Sequence, residues 1–277
     1  MKIKNVCIFL LVCFFKLHTN ALENNQLQIY LDILKDPNSS PIDIVSAQYE
    51  IGVIYSMGDK DTPKDYAQAI KWFDKAINNS YQDALFTMAS QVNIGDLYRV
   101  GGNYILKDDM QALKHYTEVI NNPNKDEAFV VVAKISAAEI YYFGGNNVAQ
   151  DHSQALYYFN NIANPVNNES IEMAIAQYYL GVMHLNGYAV SKNITKASNY
   201  FVQAFIMFTN FINDSNTYDI TLPNYYVGQM YSNGYGVVKD IAIALDYFKK
   251  VEPDELWQYQ QAQIILNTQD KKSPKDF

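Results

Sequence analysis

The sequence repeats one pattern five times, at intervals of 43, 43, 43 and 47 residues, and this repetition constrains the fold more than any other feature. A unit of this length cannot bury its own apolar side chains, so such units fold by stacking on their neighbours. Each copy carries a small residue, a tyrosine or histidine three positions later and a glycine six positions later. These three sets are Gly52, Gly95, Ala138, Gly181 and Gly228; Tyr55, Tyr98, Tyr141, His184 and Tyr231; and Gly58, Gly101, Gly144, Gly187 and Gly234.

The second half of each copy begins with an aspartate or asparagine and ends in aromatic residues. The polar residues are Asp65, Asp108, Asp151, Asn193 and Asp240, and each is followed four positions later by an alanine. We interpret each copy as two helices. The small residue allows close approach of the second helix, the glycine ends the first helix in a left-handed conformation, and the Asp or Asn caps the second.

This pattern resembles the Sel1-like repeat, a relative of the tetratricopeptide repeat. The family unit, A-x-x-x-L-G-x-x-Y-x-x-G-x-G-V-x-x-D-x-x-K-A-x-x-W-[YF]-x-K-A, is similar to VGQMYSNGYGVVKD at 227–240. The first copy keeps Ala47, Ile51, Gly52, Tyr55, Gly58, Asp65, Ala69, Trp72, Phe73 and Ala76. The resemblance covers 47–251 and implies an all-α, right-handed α-solenoid of antiparallel helix pairs that serves as a binding scaffold.

The repeats divide the chain into five units with additional segments at both ends. We expect repeats at about 42–82, 83–126, 127–169, 170–221 and 222–251. Residues 22–41 predict an N-terminal capping helix and linker, and 252–277 a C-terminal capping helix followed by a disordered tail. Ala138 in place of glycine and His184 in place of tyrosine predict less regular packing in the third and fourth copies.

The first 21 residues have the composition of a secretory signal peptide. Two lysines precede an unbroken apolar run at 6–15, and a short polar stretch ends at Ala21. Ten apolar residues are too few to cross a bilayer, so we expect cleavage after Ala21 and no stable membrane anchor afterwards, which would place the protein in the periplasm or outside the cell. An uncleaved N-terminal helix is the alternative. Both cysteines lie in this segment, so the mature chain would contain neither disulfides nor thiol chemistry.

The charge balance excludes nucleic-acid binding. Without the first 21 residues the chain has 18 basic and 29 acidic side chains, and Arg99 is the only arginine. Proteins that bind nucleic acids cluster Lys and Arg to neutralise phosphates, and no such cluster occurs here.

Catalytic motifs are scarce. The sequence lacks H-E-x-x-H, a Walker loop, G-x-S-x-G and S-x-x-K, and the three histidines after the signal segment have no ligand spacing. The sequence therefore predicts no catalytic residue, no cofactor and no metal site.

We expect a non-enzymatic scaffold of the bacterial envelope, or one secreted to a host, that binds a protein or peptide. The alternative is an envelope enzyme or binding protein that acts on peptidoglycan or β-lactam-like material.

A helical-wheel analysis predicts where a partner would bind. On each first helix, the positions opposite the core stripe are unexpectedly apolar and rich in tyrosine, which is common at interface hot spots. Two interpretations are open: a groove for a partner, or packing of first helices between neighbours on both faces. The groove interpretation predicts contacts from Tyr49, Val53, Asp96, Arg99, Glu139, Tyr142, Tyr178, Val182, Tyr225 and Gln229.

Overall fold

The computed structural model describes residues 26–58, 60–81, 83–124, 126–163, 170–214 and 220–251. These residues form helices joined by turns, with only two isolated β-bridges among them, so the all-α class is confirmed. The predicted signal peptide, C-terminal capping helix and tail lie outside this part of the chain. The helices are α1 Gln26–Lys35, α2 Pro41–Met57, α3 Tyr66–Ile77, α4 Ala84–Val100, α5 Asp109–Ile120, α6 Glu127–Phe143, α7 His152–Ala163, α8 Ile171–Asn186, α9 Ile194–Asn213, α10 Thr221–Asn233 and α11 Ile241–Phe248.

The chain divides into two compact units, and the division falls within α7, between Ala155 and Leu156. In the first unit α1 packs on α2, and α2 with α3 and α4 with α5 form the helix pairs of the first two repeats. In the second unit α8 pairs with α9, and α10 pairs with α11. The predicted array of paired helices is therefore present within each unit.

The predicted N-caps of the second helices are confirmed in all five repeats. A side-chain oxygen of the capping residue accepts hydrogen bonds from backbone N–H groups in the first turn of the helix. The donors are Gln68 N to Asp65, Met110 N and Gln111 N to Asp108, Ser153 N and Gln154 N to Asp151, Lys196 N to Asn193, and Ile243 N to Asp240, at distances from 2.9 to 3.1 Å.

The same capping residues also fasten each second helix to the first. Their backbone N–H groups donate to the carbonyl of the tyrosine or histidine three positions after the small residue. Asp65 N donates to Tyr55 O at 2.8 Å, and Asp240 N donates to Tyr231 O at 3.0 Å. This bond closes the turn in all five repeats, although the capping residue follows the turn glycine by seven positions in the first three and by six in the last two.

The glycine at the end of the first helix departs from the prediction in three repeats. It has a positive φ everywhere, but only Gly187 and Gly234 adopt the left-handed helical conformation. Gly58, Gly101 and Gly144 have ψ values of 160°, 178° and 166°, a region that only glycine enters readily. These three repeats carry one extra residue before the capping aspartate, and the extended ψ accommodates it.

The small residue of the first helix lies against an aromatic ring of the second. A Cβ built on Gly52 would lie 2.6 Å from the Phe73 ring, and one on Gly181 would lie 2.6 Å from the Phe201 ring. Gly95 and Gly228 have the same relation to Tyr116 and Phe248. In these four repeats the core therefore contains an aromatic ring of the second helix packed directly on the backbone of the first.

Candidate partner-binding site

The ten predicted contact residues divide into buried and partly exposed groups. Six are less than a tenth exposed, which is the state expected from packing of first helices on both faces. The other four keep part of their surface in solvent, and for them binding stays a prediction. The buried six are Val53, Glu139, Tyr142, Tyr178, Val182 and Tyr225, and the partly exposed four are Tyr49, Asp96, Arg99 and Gln229.

The buried tyrosines of the second unit belong to an aromatic cluster. The Tyr178 ring lies 5.1 Å from Tyr226 and 6.0 Å from Phe201 between centroids. Tyr225 lies edge-on to Tyr226 at 5.2 Å, and Gln229 Nε2 donates to its hydroxyl at 3.2 Å. Aromatic pairs at such distances add stability beyond their buried area, so these rings are structural.

Tyr49 has a similar internal role in the first unit. Its ring lies between Phe73 and Phe86, with centroids 5.7 and 5.5 Å away. Its hydroxyl accepts a hydrogen bond from Asn93 Nδ2 at 3.3 Å, and burial raises the pKa of the hydroxyl. The side chain therefore joins α2 to α4.

Three other predicted residues of the first unit come together at one place. Arg99 on α4 donates from Nη2 to Glu139 Oε2 on α6 at 2.8 Å, and their side chains are 20% and 6% exposed. The carboxylate of Asp96 accepts a hydrogen bond from the Tyr116 hydroxyl of α5 at 2.5 Å. The only arginine of the sequence therefore connects the second repeat to the third.

A second connection between these repeats involves the turn after α6. Asn146 N donates to Asp109 Oδ2 at 2.5 Å, and Asn146 Nδ2 donates to the Lys107 carbonyl at 2.7 Å. Gly145 approaches so closely that a Cβ there would lie 2.6 Å from Asp109 Oδ2. Asp109, at the first position of α5, is only 2% exposed, so this turn is fixed against the start of the helix.

Docking of the turn leaves an open groove of about 640 Å³ beside it. One wall is the outer surface of α5, and the other is Tyr141 with the segment that leads to the next cap. The lining is mainly apolar, with Lys114 and Glu118 as its charged members on α5. The lining residues are Met110, Leu113, Lys114, Thr117, Glu118, Tyr141, Asn147, Val148, Ala149, Gln150 and Asp151.

The groove was not predicted from the sequence, although one signal pointed to it. Met110 stands in the first turn of a capped helix, outside the core positions, and 55% of its surface is exposed. An apolar side chain there contributes little to the core, which is a reason to examine its surroundings. Tyr141 gave no such signal, because it is one of the repeated tyrosines, and the groove forms where it faces α5 of the preceding repeat.

The histidines show no arrangement for catalysis in the described residues. His115 stacks on Tyr98, with 6.0 Å between ring centroids, and burial lowers its pKa. His184 stacks on Tyr200 at 5.5 Å, and burial lowers its pKa too. No group of three or more potential metal ligands occurs in the part of the chain that is described. None of the helices above is long and apolar enough to span a membrane.

Comparison with protein families decides what kind of repeat this is. The Sel1 repeat model matches five segments, which together cover more than half of the chain. The chain belongs to the Sel1 repeat family. The matched segments are 45–81, 89–118, 133–164, 174–205 and 224–250. Sel1 repeats generally form non-catalytic scaffolds for protein–protein interaction, so the scaffold class expected from the sequence holds at this level.

Solved structures with similar folds also carry these repeats, each at 19% sequence identity. A Sel1 repeat protein from Oxalobacter formigenes aligns with a TM-score of 0.48 over 80% of this chain and 77% of its own. A protective antigen of uropathogenic Escherichia coli with an SLR fold aligns with a TM-score of 0.46 over 82% of this chain and 48% of its own. A Sel1 repeat protein from Klebsiella pneumoniae subsp. pneumoniae aligns with a TM-score of 0.40 over 80% of this chain and 92% of its own. No curated protein matches the chain.

Proposed function

We propose that the protein is an exported, non-catalytic scaffold that binds an apolar segment of a protein partner in the groove between α5 and the turn after α6. The open groove carries the proposal, because its lining is mainly apolar and its volume of about 640 Å³ suits a short peptide segment. The family provides the class of function. The ten contact residues predicted on the first helices, here called the first-helix stripe, are a weaker candidate, since most of them are buried.

The chemistry of the groove favours a peptide segment with one or two apolar side chains. Met110, Leu113 and Val148 offer aliphatic contacts, and methionine adapts to side chains of different shape. Lys114 and Glu118 can orient the peptide through its backbone or a polar side chain. Export would place this surface in the periplasm or outside the cell, where the partner would be met. The charged and apolar pattern of residues 1–21 supports export.

Affinity capture with the tagged protein from its own cells tests this proposal. Met110→Asp puts a charge into the groove without threatening the fold, because acidic residues are favourable in the first turn of a helix. Val238→Asp is the matched control, since Val238 is 87% exposed and lies outside the groove. We expect the wild type and Val238→Asp to retain a common partner that Met110→Asp loses.

Two results would count against the proposal. If Met110→Asp still retains the partner, the groove is not its binding site. The N-terminal residue of the recovered protein tests export in the same preparation, with Leu22 expected after cleavage and Met1 contradicting it.

A further inference from the structure

The polar cluster between the second and third repeats contains two carboxyl groups and one guanidinium. Arg99 and Asp96 extend from α4, Tyr116 from α5 and Glu139 from α6. The Arg99 guanidinium is bound to Glu139, and the partner of Asp96 is the Tyr116 hydroxyl. Ser136 of α6 also hydrogen-bonds the Tyr116 side chain. The cluster therefore joins three helices from two repeats.

The charge of this cluster depends on one proton. With Asp96 protonated, one guanidinium faces one carboxylate and the cluster is neutral. With Asp96 ionised, the cluster has a net charge of minus one beside the buried side chains of Tyr116 and Glu139. A charge without a compensating partner is costly in such surroundings, so the ionised cluster holds the helices together less well.

The surroundings of Asp96 favour its protonated form. Burial is the main cause that raises the pKa of Asp96 to about 6. The Tyr116 hydrogen bond and the Arg99 charge act in the opposite direction, and Glu139 raises the pKa further. The α2 helix also packs on α4, and its Tyr49 hydroxyl accepts a hydrogen bond from Asn93 of α4.

We propose that the Asp96–Arg99–Tyr116–Glu139 cluster is an acid-strengthened clamp, which holds the second and third repeats together tightly when Asp96 is protonated and weakens when it ionises. The direction follows from proton linkage. Because the pKa of Asp96 in the folded chain lies above its ordinary value of 3.8, the folded state binds the proton more strongly. The added stability is complete below about pH 4 and is lost as the pH rises through about 6.

The clamp requires no partner, so its test is independent of the binding proposal. Asp96→Asn keeps the shape of the side chain and the acceptor for Tyr116 but cannot ionise. Asp65→Asn is the control, because it removes the same charge at a capping position that asparagine already occupies in the fourth repeat. Urea unfolding of the three proteins at pH 4 and pH 7.5 measures the difference.

We expect Asp96→Asn to match the wild type at pH 4 and to exceed it in stability at pH 7.5. The ratio of their unfolding constants should change by roughly ten- to a hundredfold between the two pH values, as a pKa shift of about two units requires. The control should show no such change. A ratio that is equal at both pH values would overturn the proposal.

A direct titration removes any dependence on the stability of the variant. The carboxyl carbon of Asp96 in the wild-type protein, followed by NMR from pH 3 to pH 8, should titrate with a midpoint near 6. A midpoint near 4 would show that the cluster tolerates the ionised carboxylate, and the clamp would then be rejected.

Discussion

At the residue scale, one glycine in each first helix sets how closely the paired helix approaches. Gly52 faces the Phe73 ring so closely that a methyl group would overlap it. Glycine lowers helix stability by about 1 kcal/mol relative to alanine, but the buried ring offsets this loss through the packing that it gains. The rings involved are among the most deeply buried side chains of the described residues.

Gly52→Ala should therefore destabilise the protein by about 1–3 kcal/mol, despite the better helix propensity of alanine. Chemical denaturation measures the change. In a Phe73→Leu background the same substitution should cost less, because the smaller side chain leaves room for the methyl group. Equal costs in both backgrounds would show that the overlap with the ring is not the cause.

Residue-scale chemistry was the most predictable part of this protein. The Asp and Asn caps follow from local hydrogen bonding that the sequence spacing alone specifies. The positive φ of the turn glycines was also predictable, but the extended ψ of Gly58 and its two equivalents was not. Their extra turn residue was visible in the sequence, yet its effect on ψ depends on how the turn closes against the helix.

At the element scale, the turns fasten one repeat to the preceding one. The turn after α4 provides the Asn103 carbonyl that accepts from Tyr66 N at the start of α3, at 3.1 Å. At the equivalent positions of the next repeat the direction is reversed, because Asn146 N of the turn after α6 donates to the Asp109 side chain at the start of α5. The Asn103 carbonyl thus satisfies a backbone N–H group that lacks a partner within its helix, whereas Asn146 is held by a side chain of the first turn.

Asp109→Ala should loosen the turn after α6. It removes the buried acceptor of Asn146 N, which should cost about 1–2 kcal/mol and increase amide hydrogen exchange across residues 144–148. Lys107→Gln is the control, because its charge lies 3.7 Å from Asp109 at a largely exposed position, and Gln150 holds the equivalent place in the next repeat. Exchange that stays slow in Asp109→Ala would contradict this role.

Contacts between elements were less predictable than the elements themselves. The helical-wheel analysis assigned two faces to each first helix, but it could not decide whether the second face meets solvent or a neighbour. That depends on the crossing angles of successive repeats, which the periodicity of one helix does not contain. The Arg99–Glu139 pair and the buried Tyr178 are consequences of those angles.

At the scale of the whole molecule, the repeats provide the scaffold, and local departures from strict repetition carry both proposals. Two helix pairs in each unit form this scaffold, and all five second helices are capped by Asp or Asn. The third repeat has alanine in the glycine position, and its turn forms one wall of the open groove. The acid-sensitive cluster joins this repeat to the second, so both departures from strict repetition lie in the same part of the first unit.

Site-specific photo-crosslinking in the cells that produce the protein tests the central claim most directly. A benzoyl-phenylalanine placed at Met110 or Thr117 lies in the groove, whereas one at Gln229 lies on the first-helix stripe. The groove account predicts that the two groove positions form an adduct with the same partner and that the stripe position does not. An adduct at Gln229, with none at Met110 or Thr117, would contradict it.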